Sequence, residues 1–467
     1  MSSPMTHTST SLPPAVHPIA PAGPGLVVDD STAAIASPSP APASARWSLP
    51  TRVLFRFCVL YFGLYILTTQ MYWGFARIVP WVQMPHLRQN AWVQKYTTHI
   101  ANAWWGFPLP LSQNGGSGDK PFDWALACAV LIVSAAGTVL WSAADWKRPS
   151  YPGVQKWFRL VLRLGLATTM VGYGMAKFFP LQMSYPGLTR MLQPYGTFSM
   201  MGVLWTKIGA SPMYEVFTGA AELLMAVLLF IPGLTTVGAL VGLAVTTQIW
   251  VLNMTYDVPV KLFSFHLMLM CMVLLAPDAR RLATFLILKR PAEPPAERPL
   301  FKNRIGRRIA IAAQLAFGAW MVWGAYSSSK VAYGNSPSVA ARPPLYGIWT
   351  IDRMTIDGVE RAPLITDYER WRRLVIQSPA AISFQRMDDT FSSYAAKVDL
   401  AASKIALTLG QKAAGHVNIE QPAPGKLVLD GEIAGKKIRI ESTLFDHTKW
   451  NMVSTRFRWV QDTPFNR

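Results

Sequence analysis

The sequence predicts a membrane α-helical bundle of about seven transmembrane helices, followed by a C-terminal antiparallel β-barrel or meander domain. Three observations predict it. Apolar runs of spanning length recur between residues 53 and 326, and basic residues cluster at their ends. Beyond residue 340 the pattern changes to short β-prone segments bounded by turn residues.

Composition agrees with that fold class. The chain has 467 residues, 51% hydrophobic and 15% charged, with a mean hydropathy of +0.22. Soluble globular chains carry about 25% charged residues. A single soluble domain, a fibrous repeat and a disordered chain are therefore excluded. The net charge of +19 does not point to nucleic acid, because of where it lies. Residues 340–467 hold 18 basic and 14 acidic residues, so most of the excess sits on the apolar remainder. Cys58, Cys128 and Cys271 all fall inside apolar runs without metal-ligand spacing, which argues against a disulfide scaffold and a metal centre.

Residues 1–45 contain no Lys or Arg, and ten of the 36 prolines lie in the first 50 positions. Such a segment buries too little apolar surface to offset its ordering entropy and is expected to be disordered. Seven windows then reach the ~20 residues that cross a bilayer core. They are 53–75, 122–142, 157–179, 212–231, 234–255, 259–277 and 307–326. Ile231-Pro232-Gly233 marks a tight hairpin between the fourth and fifth.

Orientation follows from the basic residues. Lys147, Arg148, Lys156, Arg159 and Arg163 crowd the stretch 143–163, and 278–308 carries nine basic against three acidic residues. Arg52 and Arg56 agree with both loops. The positive-inside rule places these segments in the cytoplasm of a plasma or inner membrane. The N-terminus is then cytoplasmic and seven crossings leave the C-terminal domain extracytoplasmic.

The segments divide as 46–156 (two spans with an aromatic outer loop), 157–288 (four spans), 289–330 (a basic loop and the seventh span) and 340–467 (the β domain). In the outer loop Trp92, Tyr96, Ile100 and Trp104 recur every four residues. That stripe suits a short helix lying in the membrane interface, or one packed on other helices. A second amphipathic piece, 280–288, is expected on the inner face. The β domain is read from the segments 348–356, 371–377, 381–387, 404–409, 426–433, 436–440 and 456–460. Asp388-Asp389 and Ala434-Gly435 stand where hairpin turns belong. Gly347-Ile348-Trp349 resembles the opening of lipocalins, which would imply a ligand cavity; the other reading is a tryptophan buried in an ordinary β core.

Ionisable groups within spans cost roughly 2.5–3.5 kcal/mol each at mid-helix, so each needs a reason. Lys177 ends the third window, and Glu215 and Glu222, seven residues apart, share one face of the fourth. Asn253 and Asp257 close the fifth, and Lys261 and His266 open the sixth. All lie in the outer half. Glu222 and His266 are expected at similar depth, lining a pocket beneath Lys177, Glu215, Asp257 and Lys261. A carboxylate and an imidazole in a low-dielectric cleft suit quinone or proton chemistry. The competing reading is structural: helix-end charges snorkel, and His266 bonds across helices.

Arg163-Leu164-Gly165, Gly172-Tyr173-Gly174 and Lys177 resemble the opening helix of DoxX-family membrane proteins. Glu222-Leu223-Leu224, the Ile231-Pro232-Gly233-Leu234 hairpin and Val237-Gly238-Ala239-Leu240 are similar to that family's second helix and hairpin. The likeness covers residues 157–288. It departs at Thr235 and Thr236, where the family often has a basic residue. The resemblance implies association with quinone-linked redox systems, with a quinone or isoprenoid lipid as ligand. The expected function is an accessory subunit of such an assembly, its β domain meeting an extracytoplasmic protein partner. The alternative is a non-enzymatic scaffold.

Overall fold

The computed structural model describes residues 46–72, 74, 87–105, 119–292, 299–339, 341–455 and 458–466. The expected disorder of residues 1–45 lies outside them. The fold is a helical bundle followed by a closed β-barrel.

The helices are α1 (Leu49–Thr68), α2 (Ala91–Trp105), α3 (Pro121–Ala144), α4 (Pro152–Phe178), α5 (Leu188–Leu192), α6 (Met200–Gly209), α7 (Pro212–Phe230), α8 (Thr235–Thr255), α9 (Lys261–Ile287) and α10 (Arg304–Gly334). Six of them, α1, α3, α7, α8, α9 and α10, are long and apolar enough to cross a membrane. The chain is thus built as a multi-pass membrane protein. The third predicted window is the exception. It forms the long helix α4, but Lys156, Arg159, Arg163 and Lys177 leave that helix too polar to qualify.

Helix α4 nevertheless lies along α7. Its C-terminal Lys177 meets Glu222 of α7, while Arg163, near the middle of α4, donates to Thr235 just past the α7–α8 hairpin. The two helices are therefore antiparallel. They approach so closely at one point that a side chain there is excluded. A Cβ on Gly219 would stand 2.6 Å from the Phe178 amide nitrogen and 2.7 Å from the Gly174 carbonyl oxygen. Small residues at such a crossing let two backbones pack without solvent pressure in lipid.

The hairpin between α7 and α8 forms as the Ile231-Pro232-Gly233 signal predicts. Gly233 takes φ +92°, a conformation that glycine enters without a Cβ clash. Thr235 and Thr236, which follow it, bond to Arg163 and Asp278.

Basic residues collect at one end of the bundle. Arg56, 1% exposed, donates to the Tyr151 hydroxyl, Ser142 Oγ and the Asp145 carbonyl. Arg52 donates to the carbonyls of Trp146 and Arg148, and Lys156 to those of Pro299 and Leu300. Asp278 draws in Arg159 and Arg281. At the opposite end lie Lys177, Asp257 and Lys261. There Phe179, just past α4, meets Tyr326 and Tyr333 in the last turns of α10.

Helix α2 packs through Thr97 and Ala101, with Ala101 against Ala125 of α3. Trp92 (67% exposed) and Tyr96 (57%) stack on each other and face away from the bundle, so the aromatic stripe is its outward face. The Trp104 side chain lies outside the described residues. The amphipathic piece expected at 280–288 continues α9 as helical turns, with Phe285 to Leu288 exposed.

The barrel comprises β1 (Gly347–Ile356), β2 (Val359–Glu360), β3 (Trp371–Ser378), β4 (Ala381–Arg386), β5 (Phe391–Asp399), β6 (Lys404–Leu409), β7 (Lys412–Glu420), β8 (Lys426–Ile433) and β9 (Lys436–Phe445). From β3 to β9 consecutive strands pair antiparallel, and β1 pairs with both β3 and β9, which closes eight strands into a ring with β2 hung on β1. Closure removes the unpaired edges that an open sheet would expose. The turns at Asp388-Asp389 and Ala434-Gly435 are present, with Asp389, Ala434 and Gly435 at positive φ. Strands β5 and β7 are not among the expected segments, because Ser, Ala, Gly and Lys dilute their few large apolar residues, Phe391, Tyr394 and Val398 in one and Val417 and Ile419 in the other. The strand expected over 456–460 is absent at its described residues 458–460.

Trp349, Met354, Trp371, Leu374 and Phe384 fill the barrel interior, with Trp371 and Phe384 stacked at 4.1 Å. Trp349 thus serves as a core residue, 3% exposed, and its indole nitrogen donates to the Leu345 carbonyl. Arg370, 2% exposed, spends its guanidinium on the carbonyls of Ile351, Arg361 and Trp371. The barrel wall meets the bundle side through α5. Leu188 packs between Ile348 and Val375, Gln377 Nε2 donates to Thr189, and Gln385 Nε2 donates to the Leu192 carbonyl.

Candidate functional site

The polar residues of the bundle fall into three groups, each spanning different helices. The first joins α4 and α7. Proline at N1 starts α7, and the helical period then sets Glu215, Gly219 and Glu222 on one buried face. The face is turned toward α4 because Gly219 and Gly174 allow close approach. Lys177 Nζ stands 2.6 Å from Glu222 Oε1 and 5.6 Å from the centre of the Tyr173 ring. Lys177, Glu215 and Glu222 are 8%, 0% and 1% exposed. Glu215 Oε1 accepts the Met183 amide from the segment after α4, and the Lys177 charge acts on Glu215 as well. The second oxygens, Glu215 Oε2 and Glu222 Oε2, are buried without a hydrogen-bond partner among the described residues.

Helix α6 packs on the segment after α4 that supplies the Met183 amide. Gly209 abuts the carbonyls of Met183 and Ser184, where a Cβ would come within 2.4 Å, and Trp205 donates to the Gln182 carbonyl.

The second group centres on His266. Its Nδ1 lies 2.7 Å from the Leu262 carbonyl, which only accepts, so Nδ1 carries the hydrogen. In the neutral ring Nε2 is then the acceptor, and the Tyr61 hydroxyl of α1 donates to it across 2.7 Å. Tyr65, one turn on, stacks on the imidazole with centroids 4.0 Å apart. Sequence reasoning missed both tyrosines. Their spacing of four on α1 signals a shared face but not what that face meets.

The third group sits at the start of α9. Asp119 accepts the amides of Lys261 and Leu262 with its two oxygens, capping the helix from a distant segment. Lys261 Nζ reaches Asp257 at 2.8 Å and Asp119 at 3.8 Å. Nearby, Asn253 Nδ2 donates to Ser264 Oγ and so ties α8 to α9.

The structure thus brings together Lys177, Glu215 and Glu222, and separately Asp257 and Lys261. Glu222 and His266 take different partners, and no hydrogen bond joins them among the described residues. Nor does any group of three His, Cys, Asp or Glu among those residues stand close enough to hold a metal ion.

Chemically the three groups differ. In the His266 group both imidazole nitrogens and the Tyr61 hydroxyl are bonded and Tyr65 stacks. In the α9 group Asp119, Asp257, Lys261, Asn253 and Ser264 bond named protein atoms. In the Lys177 group two carboxylate oxygens inside an apolar bundle have acceptor capacity left over, which makes it the part able to take a proton, a cation or a donor group.

Comparison with known proteins adds little to this geometry. No family model matches the chain, and no solved structure matches it. Over 79 residues the chain is 39% identical to the uncharacterized protein YwoB of Bacillus subtilis (strain 168). That alignment covers 17% of this chain and 51% of YwoB, so the chain spans about half the length of the curated relative that it matches.

Proposed function

We propose that the protein is an accessory subunit of a membrane redox assembly, holding a quinone or another isoprenoid lipid against the Lys177–Glu222 pair. The observation that carries this reading is the unpartnered Glu222 Oε2, buried in the bundle beside a lysine. Ionisable groups at such depth are costly and mark sites of function by default. The resemblance of 157–288 to DoxX proteins supports the choice of ligand class. The basic end of the bundle faces the cytoplasm by the positive-inside rule, which puts the barrel outside, where it engages a protein partner.

A second reading, a scaffold without a ligand, is favoured by a different observation. Both nitrogens of His266 bond within the protein, and Asn253 is bonded to Ser264. Such groups lock helices together.

One experiment separates the two. Small molecules are extracted from protein purified in mild detergent and identified by mass spectrometry, for wild type and Glu222→Gln. A stoichiometric quinone or isoprenoid present in wild type and lost in a variant of unchanged melting temperature supports the redox reading. Bulk phospholipid alone in both samples, with a lower melting temperature in the variant, supports the scaffold.

A further inference from the structure

We propose that Glu215, the carboxylate left over beside the Lys177–Glu222 pair, binds one monovalent cation, a proton or an alkali ion. The argument is a charge count in a place where charge is expensive. Two carboxylates and one ammonium leave one negative charge uncompensated, and all three residues are buried, the two glutamates almost completely. An ion pair alone would be neutral. Lys177 and Glu222, 2.6 Å apart, make that pair, so Glu215 is the surplus.

Glu215 offers the cation a buried oxygen, its Oε2. Glu215 and Glu222 project from one face of α7 on either side of Gly219, and each keeps one buried oxygen without a partner. Unsatisfied buried carboxylate oxygens are rare enough to call for an explanation. Glu222 faces Lys177, whose Nζ lies over the Tyr173 ring, and Glu215 faces the backbone of Gln182 and Met183 and feels the Lys177 charge. The α7 N-terminus offsets part of the Glu215 charge, through a dipole effect that fades within a turn. One positive charge completes the balance. A divalent ion would overshoot it and be repelled by Lys177.

This site stands whether or not a quinone binds beside Glu222, and its test needs no quinone. Thermal unfolding of the full chain in nanodiscs is followed against sodium, potassium and a bulky organic cation at constant ionic strength, from mildly acidic to alkaline pH. A ligand bound only by the folded state raises stability with its concentration. If the occupant is an alkali ion, stability rises with sodium or potassium, but not with the organic cation. If it is a proton, stability falls on alkalinisation and is indifferent to alkali ions. In either case Glu215→Gln, which removes the surplus charge, flattens the dependence. A wild type indifferent to pH and alkali ions overturns the proposal, and so does a variant that keeps the full dependence. Should the variant not fold, wild type decides alone. Absence of both one bound sodium per chain and the infrared band of a buried protonated carboxyl overturns it.

Discussion

Tyr61 and His266 lie 205 residues apart and meet across 2.7 Å, the hydroxyl donating to an imidazole whose other nitrogen is held by the Leu262 carbonyl. Since Asp119 caps the same turn of α9, three segments converge there: α1, α9 and the start of α3. Tyr61→Phe removes the donor and leaves Nε2 buried without one. The expected loss is about 1–3 kcal/mol of stability. Chemical or thermal unfolding in detergent measures it, and an unchanged midpoint would show that the bond carries no stability.

Gly219 makes a prediction about shape alone. Gly219→Ala pushes a methyl group into the backbone of α4 at Phe178 and Gly174, which cannot move aside as a flexible side chain would. The yield of folded protein should fall sharply. Gly172→Ala is the control, because nothing lies within 4 Å of its Cβ position, and it should leave yield and melting temperature unchanged or slightly improved.

The barrel has its own core and closed hydrogen bonding, so residues 341–467 expressed alone should give a folded β spectrum by circular dichroism. Within that domain Arg370→Ala strips three carbonyls of their donor. It should cost about 1–3 kcal/mol per carbonyl left dry, less where water enters. A disordered spectrum for the isolated segment would contradict its independence.

Attachment of the barrel depends on α5. Leu188→Asp places a charge between Ile348 and Val375 and should free the barrel from the bundle without unfolding either. Faster proteolysis in the 335–346 connection, with both melting transitions preserved, is the expected signature.

His447 predicts how that junction responds to acid. Burial, helped by the Arg342 charge, holds its pKa below the ordinary 6.5, against the opposing pull of Asp446. A histidine whose folded pKa is depressed binds protons more readily when unfolded. Its contribution is therefore complete above 6.5 and is lost as pH falls below that value. The barrel transition of the full chain should drop on acidification through this range. It should drop less in His447→Gln.

The sequence by itself determined the elements whose signals are local. The six apolar helices follow from runs of spanning length, the α7–α8 hairpin from Ile231-Pro232-Gly233, and the β8–β9 turn from Ala434-Gly435. The same local reading singled out Glu215 and Glu222 as costly residues on one helical face. Tertiary structure decided what those faces meet. Glu222 pairs with Lys177, 45 residues earlier, because two glycines let α4 and α7 approach. His266 turns to Tyr61 rather than to Glu222, because α1 packs its tyrosine face on α9. Closure of the barrel rests on β1 finding β9, nearly a hundred residues along the chain. Hydrophobic period tells a residue which way to face; only the packing of distant segments settles what stands opposite.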